Sequence, residues 1–277
     1  YSFTKTSAGK LILTGTNTYS GGTTISAGVL QVGAGGTSGT MDGGAVVNNA
    51  SLVFNRSDSN TVANNISGTG TLTQAGSGTT ILTGTNSYSG AIYLNAGTLN
   101  LGSATALGTG GTLNFGGGTL QFSASNTTDP SARFSNAASQ SYNIDTNGQS
   151  VTLASAMSSS GGTLTKLGSG TLNLSAANTY SGNTTVSAGT LQVGNAAALG
   201  GGTVTVNTGA VLDLYGTVMT ATNPLTLNGT GISSGGALIN SSNTAATYAE
   251  ASNGFVKISG AESGATVSVT FYRTQGA

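Results

Sequence analysis

Apolar residues along this chain come in pairs, with one residue, usually polar, between the two members. Leu30 and Val32, Leu52 and Phe54, Leu99 and Leu101, Leu113 and Phe115, and Leu120 and Phe122 are spaced this way. The cadence returns at Leu172 and Leu174, Leu191 and Val193, Val204 and Val206, and Leu212 and Leu214. A period of two over three to five residues, closed by Gly or Asn, predicts short strands with one face buried. No stretch joins a helical period to helix caps, so almost no helix is expected.

Strands this short need neighbours on both sides. Comparable pairs recur at a nearly constant step of 21 or 22, as in Leu30 to Leu52, Leu99 to Leu120 and Leu191 to Leu212. That interval suits one turn of a parallel β-helix, about three short strands joined by tight Gly and Asn corners. The expected fold is all-β, a solenoid of about 12 coils stacked about 4.8 Å apart into a rod on the order of 60 Å long. An antiparallel sandwich is the rival fold. It needs hairpin signals at 8–12-residue spacing, which the Gly-rich corners partly mimic, but the repeat offsets favour the solenoid.

One stretch is written three times without gaps, at 5–33, 74–102 and 166–194. The step from Tyr19 to Tyr88 is 69 and that from Tyr88 to Tyr180 is 92, three and four times 23. The copies are therefore expected on one edge of the solenoid, separated by whole turns. Two segments break the pattern. Ser123 to Ser141, with Asp129, Pro130 and Arg133, lacks paired strand residues and is expected to leave the coil as a loop. From about Ala251, FVKIS and VSVTFY flank the turn-like Gly260 to Gly264, which predicts a hairpin or end cap. Glu250, Lys257, Glu262 and Arg273 gather there, as suits a protected sheet edge. The division expected is a β-helix over 1–250 and a capping or strand-exchange segment over 251–277.

Composition narrows the chemistry. Only 5% of residues are charged, seven of each sign, and there is no Cys or His. Scattered Lys and Arg make no patch for nucleic acid or an anionic membrane. Disulfides and thiolate metal sites are excluded, and the commonest general base is missing. No run of 18 apolar residues occurs, so no transmembrane helix is predicted and no membrane insertion is expected of this segment. The chain opens at Tyr1 without a leader pattern, which reads as a mature or excised piece.

The motif itself is specific. G-x-L-x-L-x-G-x-N-x-Y-S-G followed by T-T-x-S-A-G-x-L-Q-V-G resembles the autotransporter-associated β-strand repeat, also called the passenger-associated transport repeat. The fullest match is Gly170 to Gly194, with Ala176 where the other copies have glycine; the second copy departs at Ala91-Ile92-Tyr93. Leu225 to Asn240 resembles a second pattern found in such proteins, and the tail over 251–277 matches neither. The resemblance implies a right-handed parallel β-helix, secreted or displayed on a Gram-negative-type surface. It also implies a role as adhesin, self-association factor or stalk.

Candidate sites are few. Tyr19, Tyr88 and Tyr180 share one repeat position, and two readings stay open: rings that close corners, or exposed rings that stack on sugars. Asn17, Asn86 and Asn178, two residues earlier, suit corners. The tightest charged groupings are Asp42, Arg56 and Asp58, and Asp129, Arg133 and Asp145. In each, the two carboxylates stand well short of a full coil apart, so nothing pairs them for acid–base work. Asp58-Ser59-Asn60 is a weak calcium-loop fragment, and no dinucleotide fingerprint occurs. No catalytic residue, metal ligand or cofactor is expected.

Two function classes remain. One is a non-enzymatic passenger segment acting as adhesin or stalk, with host or biofilm glycans or proteins as partners. The other is a subunit that self-associates end to end into a homo-polymeric extracellular fibre by strand addition. Its contacts would be Tyr1 and Phe3 at one end and Val267, Val269 and Phe271 at the other. A carbohydrate-active β-helix enzyme is a distant third.

Overall fold

A computed structural model of the chain describes residues 1–41, 43–249, 254–258 and 269–273. It divides into two units, Tyr1–Thr128 with Arg133–Ser135, and Asp129–Ala132 with Asn136–Ala277.

In unit one, three stacks of parallel strands run up three sides of a coil. The first holds Phe3–Lys5, Thr23–Ile25, Val46–Asn48 and Ile66–Ser67. The second holds Lys10–Leu13, Val29–Val32, Ser51–Phe54, Thr71–Gln74, Ile92–Leu94 and Leu113–Phe115. The third holds Ser59–Val62, Thr79–Leu82, Thr98–Asn100 and Thr119–Gln121. Lys10 pairs with Val29, a step of 19, and Thr23 with Val46, a step of 23, so turn length varies. The intervals read from the sequence are real registers: Leu30 lies opposite Leu52, and Leu99 opposite Leu120.

Unit two repeats the arrangement. One parallel stack holds Ser141–Asp145, Thr163–Leu167, Thr184–Val186, Val204–Val206 and Leu225–Leu227. Another holds Ser150–Leu153, Thr171–Leu174, Gly189–Val193, Ala210–Asp213 and Leu238–Ile239, with Leu191 opposite Leu212. Strand direction changes at the end of the chain. Ala246–Ala249 pairs antiparallel with Gly254–Ile258, which pairs antiparallel with Val269–Arg273. The turn-like Gly260 to Gly264 between the last two lies outside the described residues. The two units together hold about eleven turns. Among the described residues, helical geometry is confined to two 3₁₀ turns, Ser131–Arg133 and Ile232–Ser234.

The core follows from the alternation. Leu30, Leu52, Leu72, Ile92 and Leu113 occupy one inward position in successive turns, and none has exposed surface. Burying one such side chain is worth about 1.5–3 kcal/mol. In-register stacking sets each aliphatic group on its equivalent in the next turn.

Two expectations need correction. First, the copies of the repeat are not whole turns apart. Phe3, Thr23, Val46 and Ile66 are successive partners, so three turns carry the chain from position 3 to position 66. The offset between the first two copies overshoots that span by six, about one side of the coil. Thr71–Gln74, counterpart of Phe3–Lys5, accordingly lies in the stack of Lys10–Leu13 instead. What each copy does is pair with itself. Phe3–Lys5 takes Thr23–Ile25 and Lys10–Leu13 takes Val29–Val32; the second and third copies do the same. A repeat is thus one turn locked to its own continuation. Second, Ser123 to Ser141 does not simply leave the coil. Phe134 bridges Leu113 in parallel, and its ring meets Phe115 edge-on at 4.8 Å between centroids.

The alternation yields a direct test. Leu191 is buried between Leu172 and Leu212, whereas Thr190 is half-buried and faces the other way. Leu191→Asp should cost several kcal/mol by burying an unpaired charge, and Thr190→Asp less than about 1 kcal/mol. Urea unfolding monitored by circular dichroism checks the pair, and equal losses would mean the faces are misassigned.

Candidate functional site

The corner after the first strand pair of each repeat is where the sequence sets its repeated tyrosines. Tyr88 and Tyr180 have no exposed surface, and Tyr19 is half-buried. A ring without an accessible face cannot stack on a sugar, so the glycan-contact reading does not hold at Tyr88 or Tyr180. The hydroxyls turn inward: Tyr88 donates to the Ala106 carbonyl at 2.9 Å. Tyr180 and Thr184 share a hydrogen bond at 2.5 Å, and Tyr19 and Thr23 share one at 2.8 Å. Burial raises the pKa of Tyr88 and Tyr180 well above the ordinary phenol value. Nor do Tyr19 and Tyr88 stack in a single column. Tyr19 follows Lys10–Leu13 and Tyr88 follows Thr79–Leu82, strands of different stacks.

The asparagine two residues earlier clamps three turns together at Asn86 and Asn178, whereas Asn17 donates from Nδ2 to Thr40 O at 2.6 Å. Asn86 accepts at Oδ1 from the Ile66 N–H of the turn before, at 2.9 Å, and donates from Nδ2 to Ala106 O of the turn after, at 3.3 Å. Asn178 does the same between Met157 N–H, at 2.9 Å, and Ala198 O, at 2.7 Å. The corner keeps some backbone bonds between turns, such as Ser87 N–H to Ile66 O at 2.8 Å and Thr179 N–H to Met157 O at 2.9 Å, and these amides satisfy groups that the bend leaves over.

One further repeat position was missed from sequence. Lys5, Gln74 and Lys166 open the three copies and are all buried. Each points its nitrogen into a turn of backbone carbonyls. Lys166 Nζ donates to Leu167 O at 2.8 Å, Gly168 O at 2.7 Å and Ala188 O at 3.1 Å. Gln74 Nε2 donates to Gly76 O and Gly78 O at 2.8 and 3.2 Å, and Lys5 Nζ to the carbonyls of Ser7 and Ala27. Gly189 (φ +64°) closes the Lys166 cluster, where a Cβ would fall 2.5 Å from Gly170 O and 2.6 Å from Gly168 O. The signal was available: Lys166 alternates with Leu164 on the inward side of TLTKL. Burial pushes its pKa down to about 8, while nearby Asp145 holds it up.

The carboxylates serve as local caps. Asp58 pairs with Arg56 at 2.7 Å, and that hydrogen bond lowers the Asp58 pKa and raises that of Arg56. Asp129 accepts from the Ser131 and Ala154 N–H groups, each at 2.8 Å, and Asp145 accepts from Asn147 N–H. Arg133 donates to the carbonyls of Leu107, Gly110 and Gly111. Asp213, 2% exposed, accepts from Tyr215 N–H, Ser241 N–H and Oγ, and Gln192 Nε2. Asp42 lies outside the described residues, as does Val267. Tyr1 is fully exposed, and the Phe3 ring lies 5.7 Å from that of Tyr19. Val269 and Phe271 belong to the strand Val269–Arg273, paired with Gly254–Ile258.

These parts define a β-solenoid whose buried polar groups hold turn to turn. Comparison with known proteins agrees. The model of the passenger-associated-transport-repeat family matches residues 3–32, 72–101 and 164–193, so the chain carries three such repeats. It is also similar to the adhesin BmaC autotransporter of Brucella suis biovar 1 (strain 1330), 36% identical over 67% of this chain. The match spans 7% of that adhesin's length. No solved structure matches the chain.

The carbonyl clamp is testable through pH. The folded-state pKa of Lys166 lies near 8, below its ordinary 10.5. Between those values the unfolded chain binds the extra proton, so stability rises with pH across this window. Near pH 10 the buried tyrosines, their pKa raised, reverse the trend. Lys166→Gln, which installs the amide found at Gln74, should flatten the rise between pH 8 and 9.5 and keep two of the three carbonyls paired. Lys166→Met also flattens it but leaves them unpaired, at a cost of about 1–3 kcal/mol. Urea melts at stepped pH read all three proteins, and a parallel rise in both variants removes Lys166 from the explanation.

Proposed function

We propose that this chain is a stretch of an extracellular autotransporter passenger, a non-enzymatic solenoid that presents an adhesive surface at the bacterial cell exterior. The observation that carries the reading is an outward ladder in unit two. Asn143, Thr165, Thr185, Thr205 and Thr226 lie opposite one another in consecutive turns. Neighbouring rungs are about 4.8 Å apart, and every threonine hydroxyl both donates and accepts. A glycan or protein surface laid along such a ladder meets many equivalent weak contacts. Adhesion built this way gains strength from number. The three passenger repeats and the similarity to an autotransporter adhesin support the same reading.

Beads coated with the chain, washed under flow over an epithelial monolayer, test it. The expected result is retention well above albumin-coated beads. Thr165→Ala, Thr185→Ala and Thr205→Ala combined should lower retention several-fold while the thermal transition stays cooperative. Retention no better than albumin would make the segment a spacer. Release of reducing ends from a surface polysaccharide would overturn the non-enzymatic reading.

A further inference from the structure

The third stack of unit one lacks a rung. Ser59–Val62 is its terminal strand, paired with Thr79–Leu82 on one edge alone. In the turn before, the chain over 37–41 forms no strand to cover the other edge. The gap is bounded at both ends. Ser57 N–H still reaches Gly36 O at 3.0 Å, and Asn64 Nδ2 reaches Gly44 O at 2.6 Å. Between these closures lies a cleft of about 350 Å³, with Asn60, Thr61 and Ala63 along the strand and Val32, Met41 and Phe54 beneath.

The direction of the backbone groups follows from the paired edge. Thr79 N–H donates to Asp58 O and Thr83 N–H to Val62 O, so the even-numbered carbonyls face Thr79–Leu82. Alternation then aims the N–H and C=O of Ser59, Thr61 and Ala63 into the cleft. Ser59, Thr61 and Ala63 are exposed. The described residues lining the cleft carry no charge.

We propose that this cleft is a strand-addition site that takes a short, extended, uncharged peptide segment, three or four residues long and flanked by turns, with an aliphatic side chain entering over Met41. Main-chain donors and acceptors in strict alternation are what an extended peptide matches and a saccharide does not. Phe54, the aromatic residue beneath, has no exposed surface, so no ring face is offered to a sugar. Among the described residues lining the cleft there is no charge to offset the desolvation of a charged ligand. The two closing hydrogen bonds limit the length, which is why turns must flank the inserted residues. The site does not depend on the adhesive ladder of unit two and can fail without it.

The probe is a fluorescein-labelled peptide of residues 78–84, Gly-Thr-Thr-Ile-Leu-Thr-Gly, whose parent strand pairs with the other edge of Ser59–Val62. Titrated against the full chain, it should give a saturable rise in anisotropy. Thr61→Pro removes the donor at the open edge and leaves the paired edge intact. Gly43→Phe plugs the cleft from a position where an added Cβ meets nothing within 4 Å. Each variant should weaken binding at least tenfold with the melting temperature within a few degrees of the parent. The same peptide N-methylated at alternate residues should not bind. Absence of saturable binding to the parent, or binding unchanged in both variants or after N-methylation, overturns the proposal. Displacement of the peptide by a neutral oligosaccharide would overturn it in favour of a glycan. A dimer in sedimentation that Gly43→Phe abolishes would overturn it in favour of a second copy.

Discussion

Every strand here is too short to hold itself, and the structure depends on each one finding its backbone partners in the turns before and after. A strand of three or four residues fixes its chain at a cost of about 1–2 kcal/mol per residue in backbone entropy, and one face of buried side chains does not offset that alone. Stacking in register changes the balance. Each inner strand is hydrogen-bonded on both edges, and its inward residues touch like residues in neighbouring turns, as with Leu30 between Leu11 and Leu52. Turn length drifts, as the unequal steps from Lys10 to Val29 and from Thr23 to Val46 show, because the corners absorb the difference.

Corners are where that scheme is weakest, since bends keep only part of the backbone bonding between turns. The chain meets the problem with side chains that imitate backbone. Asn86 and Asn178 each accept from the turn before and donate to the turn after. Lys5, Gln74 and Lys166 fill carbonyl-lined turns with donors, and Gly189 leaves room for the one around Lys166. Buried polarity of this kind is costly unless paired; the donors at this position all find carbonyls, while Gln74 leaves its Oε1 without a partner. The charged residues are drawn into the same work, Arg133 and Asp213 among them, as caps on loops. Chemistry that in another fold would build a reaction centre is used here to hold turns together.

Function on such a scaffold is spread along outward positions or lodged where the stacking is interrupted. The threonine ladder of unit two, which we propose as an adhesive surface, is of the first kind, made by repetition itself. The cleft beside Ser59–Val62, which we propose takes a peptide, is of the second kind and lies where the third stack of unit one ends.

The sequence by itself determined the strands, their inward faces and even their registers, because a period of two and a regular return of the same pair are local signals. Leu30 with Leu52, Leu99 with Leu120 and Leu191 with Leu212 were all legible in this way. The tertiary structure alone decided which side of the coil each copy occupies, since that depends on the summed lengths of every intervening turn. A surplus of six over three turns sends Tyr88 to a different side from Tyr19. Burial of the Tyr88 ring was likewise hidden, because it depends on a carbonyl brought near by another turn. The missing rung escaped for the same reason. Nothing in the residues of Ser59–Val62 marks an open edge, and only the path of the chain one turn earlier leaves it so, because a strand's partner is set by neighbours in space that its own residues do not encode.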